Sequence, residues 1–293
     1  MIYGAKKSLG LKNNHVFARA KKALGQNFLK SEIALRKIVE AGEIERGNVI
    51  LEIGPGGGAL TKKLLEKSGT VIAVEKDREL FEFLKIKFEK EIKQRSLVLV
   101  HDDILRFNIG EAILTFSNGL AGGGTRRTED LRKSLKLRSY KIIANIPYNI
   151  TGAILKKFLN EKNQPERMVL MVQHEVAKRI IANNNKESIL SISIKAYGEP
   201  KMIMKVPARY FSPKPKVDSA IIAIKNISRK IFQENKINKK LFWQIVKTGF
   251  AHKRKKLSSN LKTLKDGSKA SVLELGNKRA EDLSLQDWIL LAK

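Results

Sequence analysis

The 293-residue sequence predicts an α/β fold, a mostly parallel sheet covered by helices on both faces, with a small all-α domain behind it. Three observations predict it. Short apolar runs alternate with amphipathic stretches from about residue 31. A glycine cluster, Gly54-Pro-Gly-Gly-Gly58, directly follows the first of these runs. Strand signals stop near residue 228, and only helical spacings follow.

Each element has its own signal. Ser31 is placed to cap a helix carrying Ile33, Ile38 and Val39 on one face. Asn48-Val-Ile-Leu-Glu-Ile53 is the first strand, and Leu60, Leu64 and Leu65 repeat at helical spacing after the glycines. Thr70-Val-Ile-Ala-Val-Glu75 is a second buried strand. Residues 77–93 read as one amphipathic helix with Leu80, Phe81, Leu84 and Phe88 inside. Ser96–His101, Tyr140–Asn145 and Arg167–Gln173 are strands three to five, with helices expected over 151–160 and 174–183. Met202–Val206 and Asp218–Ile224 are late strands, read as an antiparallel edge. Residues 108–139, with Gly122-Gly-Gly124 and poor periodicity, read as a long surface insertion. Leu241–Val246 and Trp288–Leu291 mark the helical domain. The expected division is therefore a basic arm over 1–30, a main domain over 31–227 and a helical domain over 228–293.

Composition narrows the function. Hydrophobic residues make up 42%, enough for a real core. The 58 Lys and Arg against 29 Asp and Glu give a net charge of +29, which predicts a polyanionic partner. Nucleic acid is the first candidate and an anionic membrane surface the second. With no cysteine, disulfides, thiolate metal sites and thiol nucleophiles are excluded. The four histidines lie far apart, so no metal is expected. No apolar run approaches the ~18 residues of a transmembrane helix. Residues 1–31 hold no acid and seven Lys or Arg. A phosphate-touching arm and a transit peptide both fit. The Asn- and Lys-rich composition favours the arm, and a cytoplasmic location is expected.

The glycine cluster lies where a strand enters a helix. Backbone can approach a ligand closely there, and the helix N-terminus adds partial positive charge. Glu75, 21 positions after Gly54, ends the second strand where a carboxylate accepts both ribose hydroxyls of an adenosine-bearing cofactor. The dinucleotide fingerprint needs a glycine at position 59, where Ala59 stands. Glu52 and Asp103 add further acids. Such surroundings suit the cationic sulfonium of S-adenosyl-L-methionine better than a pyrophosphate. Asp103 is placed to accept from the adenine amino group, though a loop-capping acid reads the same way.

Asn145-Ile-Pro-Tyr148 stands at the end of the fourth strand, on the edge that faces the ligand crevice of an open parallel sheet. Methylation of an exocyclic amine suits such a set, because that lone pair is delocalised into its ring. The Asn145 side-chain oxygen and the Ile146 carbonyl can hold both amine hydrogens and aim the lone pair. Pro147 fixes the backbone, and Tyr148 offers a ring for stacking. Catalysis would be mostly positioning. Taken alone, these residues read more readily as a turn with a core tyrosine.

In sum the sequence resembles the ribosomal RNA adenine N6-dimethyltransferases from about Lys21 to Leu264. The resemblance rests on Lys21–Leu29, Leu51–Gly56, Val74-Glu75, Asp103-Ile-Leu105, Asn145–Ile150, Met171–Ala177, Phe211–Ser219 and Gly249–Leu257, eight segments in order. It implies a Rossmann-like class I methyltransferase sheet and S-adenosylmethionine contacts at Asn27, Leu29, Gly54, Gly56, Glu75, Asp103 and Asn145. It implies that Tyr148 and Phe211 sandwich the flipped adenine, with Asn145, Pro147, Tyr148 and Phe211 as the catalytic set. The last segment is more similar to the small-subunit branch. That implies dimethylation of two adjacent adenosines in the 3′-terminal hairpin of 16S rRNA, on an immature small ribosomal subunit, by a monomer without metal or membrane. A 23S rRNA methyltransferase, a non-catalytic RNA-binding factor on the same fold and an NAD enzyme are the rivals.

Four positions depart from the family pattern. Gly57 replaces a bulkier residue, which predicts a looser loop; the 108–139 segment is long; Asn183-Asn-Asn-Lys186 replaces a glycine-containing loop; Lys253 replaces an arginine and loses the planar fork.

Overall fold

The computed structural model describes residues 21, 24–68, 70–112, 139–182, 184–262, 264 and 275–293. Most of the expected arm and insertion, and Asn183, lie outside these residues. Nine strands occur among the described residues: β1 (Phe28–Leu29), β2 (Val49–Ile53), β3 (Thr70–Glu75), β4 (Leu97–His101), β5 (Tyr140–Asn145), β6 (Arg167–Gln173), β7 (Glu199–Val206), β8 (Phe211–Ser212) and β9 (Ser219–Lys225). Seven form one sheet in the order β4-β3-β2-β5-β6-β9-β7. Strands β2 to β6 run parallel, and β9 inserts antiparallel between β6 and β7. The two late strands thus pair antiparallel at one end of the sheet, as the sequence suggested, with β9 internal and β7 the edge. The edge strand β7 carries exposed Lys201 and Lys205, charges that discourage edge-to-edge pairing.

Alternation along the strands feeds two cores. Val49, Leu51, Ile53, Ile72 and Val74 face one apolar cluster, whereas Ile50, Val71 and Ala73 face the other. The second is covered by α1 (Glu32–Ala41), α2 (Ala59–Leu65) and α3 (Arg78–Lys87). Ser31 caps α1, its Oγ accepting from Ala34 N at 3.3 Å. Ile33 is 53% exposed, however, and Ala34 and Leu35 take the buried face with Ile38 and Val39. The expected single helix over 77–93 breaks at Phe88 (φ −112°, ψ 29°), and α4 (Glu89–Lys93) follows. Phe88 is buried under Gly58, which explains the break.

The first cluster is covered by α5 (Thr151–Asn160), α6 (His174–Ile181) and α7 (Ile189–Lys195). It continues into the C-terminal helices α8 (Lys230–Glu234), α9 (Lys239–Gly249), α10 (Leu257–Leu261) and α11 (Leu285–Ala292). Tyr197, Phe232 and Phe242 join the two regions, with ring centroids 5.6 and 5.5 Å apart. Within the helical region Trp288 is fully buried; a side chain at Gly249 would collide with it.

Candidate active site

Register brings the candidate residues together. Ile53 pairs Val74 across β2 and β3, and Asn145 pairs Met171 across β5 and β6. Gly54, Glu75 and Asn145 thus share the carboxyl edge of the parallel strands, where crevices form. A cavity of about 590 Å³ opens there, within the ~300–1,000 Å³ of small-molecule sites. Asn27, Leu29, Gly54, Gly56, Glu75, Asp103, Asn145, Pro147 and Tyr148 all line it. Phe211 does not.

The glycine loop is shaped for close approach. Gly56 has φ +57°, and a Cβ there would come within 2.9 Å of the Phe28 ring. Gly58 has φ +76°, and a Cβ there would strike Phe88 at 2.5 Å. At Gly57, where the sequence suggests a looser loop, Lys87 Nζ donates to the carbonyl at 2.6 Å. Glu75 is 5% exposed, and its two oxygens accept from Gly56 N (3.1 Å) and Asp77 N (2.8 Å). Burial raises its pKa, partly offset by these donors. Each oxygen keeps one lone-pair direction, which fits two vicinal hydroxyls. Glu52 is 1% exposed, and its Oε2 has no partner among the described residues. Desolvation pushes its carboxyl up to about 8, with the neighbouring Glu75 charge adding to the rise. A buried acid without a counter-ion beside such a cavity fits a cationic ligand such as S-adenosylmethionine.

Asp103 serves its own loop. Oδ1 accepts from Leu105 N at 3.0 Å and Oδ2 pairs with Lys76 Nζ at 2.9 Å. The Lys76 bond and the Leu105 N–H hold its carboxyl below the usual range. The capping role is therefore real, and a ligand contact would have to share these oxygens.

Part of the expected arm belongs to this site. Leu24 to Lys30 form one wall, because β1 pairs antiparallel with β8, Phe28 opposite Ser212 and Leu29 opposite Phe211. The carbonyl of Asn27 accepts from Asn145 Nδ2 at 3.0 Å. That bond fixes which way the Asn145 amide faces and leaves Oδ1 as its acceptor. Lys21 and Gln26 hold the segment to Asp77, at 2.9 and 3.0 Å. Asp77 also caps α3 through Glu79 N. Burial would raise the Asp77 carboxyl, but Lys21 and Gln26 outweigh it and the pKa is lowered. Sequence reasoning overlooked Gln26 and Asp77; the latch needs partners 51 and 56 residues apart.

Tyr148 opens a 3-10 turn after Pro147 and also borders a second, smaller cavity with Gly25, Asn27, Asn149 and Gln173. Its hydroxyl lies 2.6 Å from Ser219 Oγ. The expected aromatic partner is elsewhere. Phe211 is 4% exposed and packs in the apolar cluster with Leu29, Leu35, Val206 and Ile221, because β8 turns its ring inward. Here it is a core residue that supports β1.

Comparison with known proteins identifies the family. The sequence model of the family described as ribosomal RNA adenine dimethylase matches residues 17–293. This chain belongs to the ribosomal RNA adenine dimethylase family. It is 36% identical over 280 residues to the ribosomal RNA small subunit methyltransferase A of Dehalococcoides mccartyi, covering 93% of this chain and 87% of the relative. The protein of that name from Fusobacterium nucleatum is 37% identical over 282 residues, covering 93% and 96%. Among solved structures, a dimethyladenosine transferase from Plasmodium falciparum shares the fold, with TM-score 0.71, 23% identity and 90% and 95% coverage. For a ribosomal RNA adenine dimethylase, the Rossmann-like sheet is the expected architecture, and Asn145–Tyr148 stands at its crevice.

Proposed function

We propose that this chain transfers methyl groups from S-adenosylmethionine to N6 of two adjacent adenosines in the 3′-terminal hairpin of 16S rRNA, on an immature small ribosomal subunit. The observation that carries the reading is the Asn145 amide, turned by the Asn27 carbonyl so that its oxygen is the acceptor offered at the cavity. The small-subunit names of the relatives support the choice of particle. We place the activity in the cytoplasm, with the chain acting as a monomer. No helix among the described residues is long and apolar enough to cross a membrane.

When bound, S-adenosylmethionine would supply an electrophilic methyl carbon. Glu75 would accept the ribose hydroxyls, and backbone at Gly54 and Gly56 leaves room for the ligand. Asn27, Leu29 and Asp103, which line the same cavity, would complete its binding site. Asn145 Oδ1 and the Ile146 carbonyl accept the two N6 hydrogens of the adenine and aim the lone pair. Tyr148 gives the unstacked base a face worth about 1–3 kcal/mol, against an unstacking cost of a few kcal/mol. Pro147 sets the backbone that carries both. The alkylated amine loses its proton readily, so no side chain has to act as a strong base. Residues 228–293 supply phosphate contacts; His252 to Lys256 are all exposed there.

Asn145→Ala tests this. Transfer of tritiated methyl to unmethylated small subunits should fall below detection. Calorimetric affinity for S-adenosylmethionine should stay within about tenfold, since other residues hold the ligand. A fully active variant rejects the mechanism.

A further inference from the structure

We propose that Ser219 is the positioning residue for Tyr148, tethering the phenol at its far end so that the ring is a preset stacking face for the target base. This rests on the methyl transfer to an unstacked adenine proposed above. Ser219 is fully buried and begins β9. Its backbone is held from both sides, opposite Gln173 of β6 and Val206 of β7. The Oγ position is therefore set by the sheet. Tyr148 lies outside the sheet, on the turn that follows β5. Its near end is anchored by Pro147 before it and by Thr151, whose Oγ1 donates to the Tyr148 carbonyl at 3.0 Å. The hydroxyl, 2.6 Å from Ser219 Oγ, fixes the far end.

A stacking platform works best when its plane is set before the base arrives, because rotamer freedom lost on binding subtracts from the stacking gain. Two anchors remove most of that freedom. The same geometry assigns the phenol oxygen a mechanical part. It is occupied by a hydroxyl, and burial pushes the phenol's pKa up, only partly offset by Ser219. Proton transfer is poorly served by such a group, whereas a tether is well served.

A double-mutant cycle on the full chain reads the tether. Tyr148→Phe and Ser219→Ala each remove the same hydrogen bond. Each should lower kcat on unmethylated small subunits by about 3- to 10-fold. Affinities for the particle and for S-adenosylhomocysteine should stay within twofold. The double variant should be no worse than the poorer single one, since the bond can be lost only once. Ser219→Thr, which keeps the hydroxyl, should recover part of the loss. Either single variant within twofold of wild type overturns the proposal. So does a double variant whose loss is the product of the two, or a loss that falls on affinity instead of turnover. Should Ser219→Ala fail to fold, the Tyr148→Phe result decides by the same criterion. A wild-type chain that transfers no methyl would instead refute the proposed function. The tether is then judged by NMR on protein labelled at its five tyrosines. A slowly exchanging Tyr148 hydroxyl proton supports it, and fast exchange in wild type overturns it.

Discussion

Replacing Glu52 with glutamine should stabilise the protein, and increasingly so as pH rises. The acid is 1% exposed, its Oε2 has no partner among the described residues, and Glu75 lies beside it. Its carboxyl sits at about 8 in the fold, against 4.5 for the free group. A raised carboxyl keeps its proton in the folded state and gives it up on unfolding. Stability linked to Glu52 is therefore complete below pH 4.5 and is lost progressively as pH climbs toward 8. At about 1.4 kcal/mol per pH unit, the loss is about 1.4 kcal/mol at pH 5.5 and about 4 kcal/mol at pH 7.5. Glutamine copies the neutral form at every pH, and the Thr61 hydroxyl and backbone beside it can bond its amide. Urea unfolding of both proteins at the two pH values measures the gap, which should widen by up to about 3 kcal/mol. A gap that stays constant would refute the reasoning. A cationic ligand drives off the Glu52 proton, so wild type should gain affinity for S-adenosylmethionine, relative to S-adenosylhomocysteine, between pH 6.5 and 8. Glu52→Gln should not.

Three further outcomes follow from the geometry. Gly56→Ala forces a left-handed alanine against Phe28 and should cost on the order of 1–2 kcal/mol of stability and at least about tenfold in cofactor affinity, by thermal melt and calorimetry; unchanged affinity would contradict the close-approach role. Phe211→Ala should cost about 3–5 kcal/mol in urea unfolding, because its ring is core. Full stability with lost turnover would return Phe211 to the stacking role. Lys255→Ala with Lys256→Ala should flatten the plot of log affinity for small subunits against log salt by roughly 0.9 per charge removed, leaving turnover at saturation intact. A steady slope would place the RNA elsewhere.

Buried parallel strands were readable because each is an apolar run with abrupt ends. Thr70–Glu75, Tyr140–Asn145 and Arg167–Gln173 have the expected bounds. Failures came where distant contacts decide. One gap was local: Ile189-Leu-Ser-Ile-Ser-Ile-Lys195, unassigned from the sequence and alternating like a strand, is a helix started by a capping box in which Ser188 Oγ accepts from Ser191 N and Ser191 Oγ accepts from Ser188 N. The two-residue pair β1 and β8 joins segments some 180 residues apart, with no periodicity to betray it. For that reason composition alone reads residues 1–30 as a phosphate-touching arm, and only the resemblance points to Asn27 and Leu29, which stand in the cavity wall; Phe211, expected as a base-stacking ring, packs in the apolar cluster. Local signals did place the glycine loop, Glu75 and Asn145 on one edge, since strand ends alone fix that. Which oxygen Asn145 offers depends on the Asn27 carbonyl, 118 residues away.

The central claim is tested most directly by mapping where the methyl groups go. Purified full-length chain, S-adenosylmethionine and small subunits lacking this modification are incubated, and the 16S rRNA is read nucleotide by nucleotide. Two neighbouring N6,N6-dimethyladenosines in the 3′-terminal hairpin are the predicted product. Methyl groups confined to 23S rRNA, to another atom or to no nucleotide at all would contradict the account.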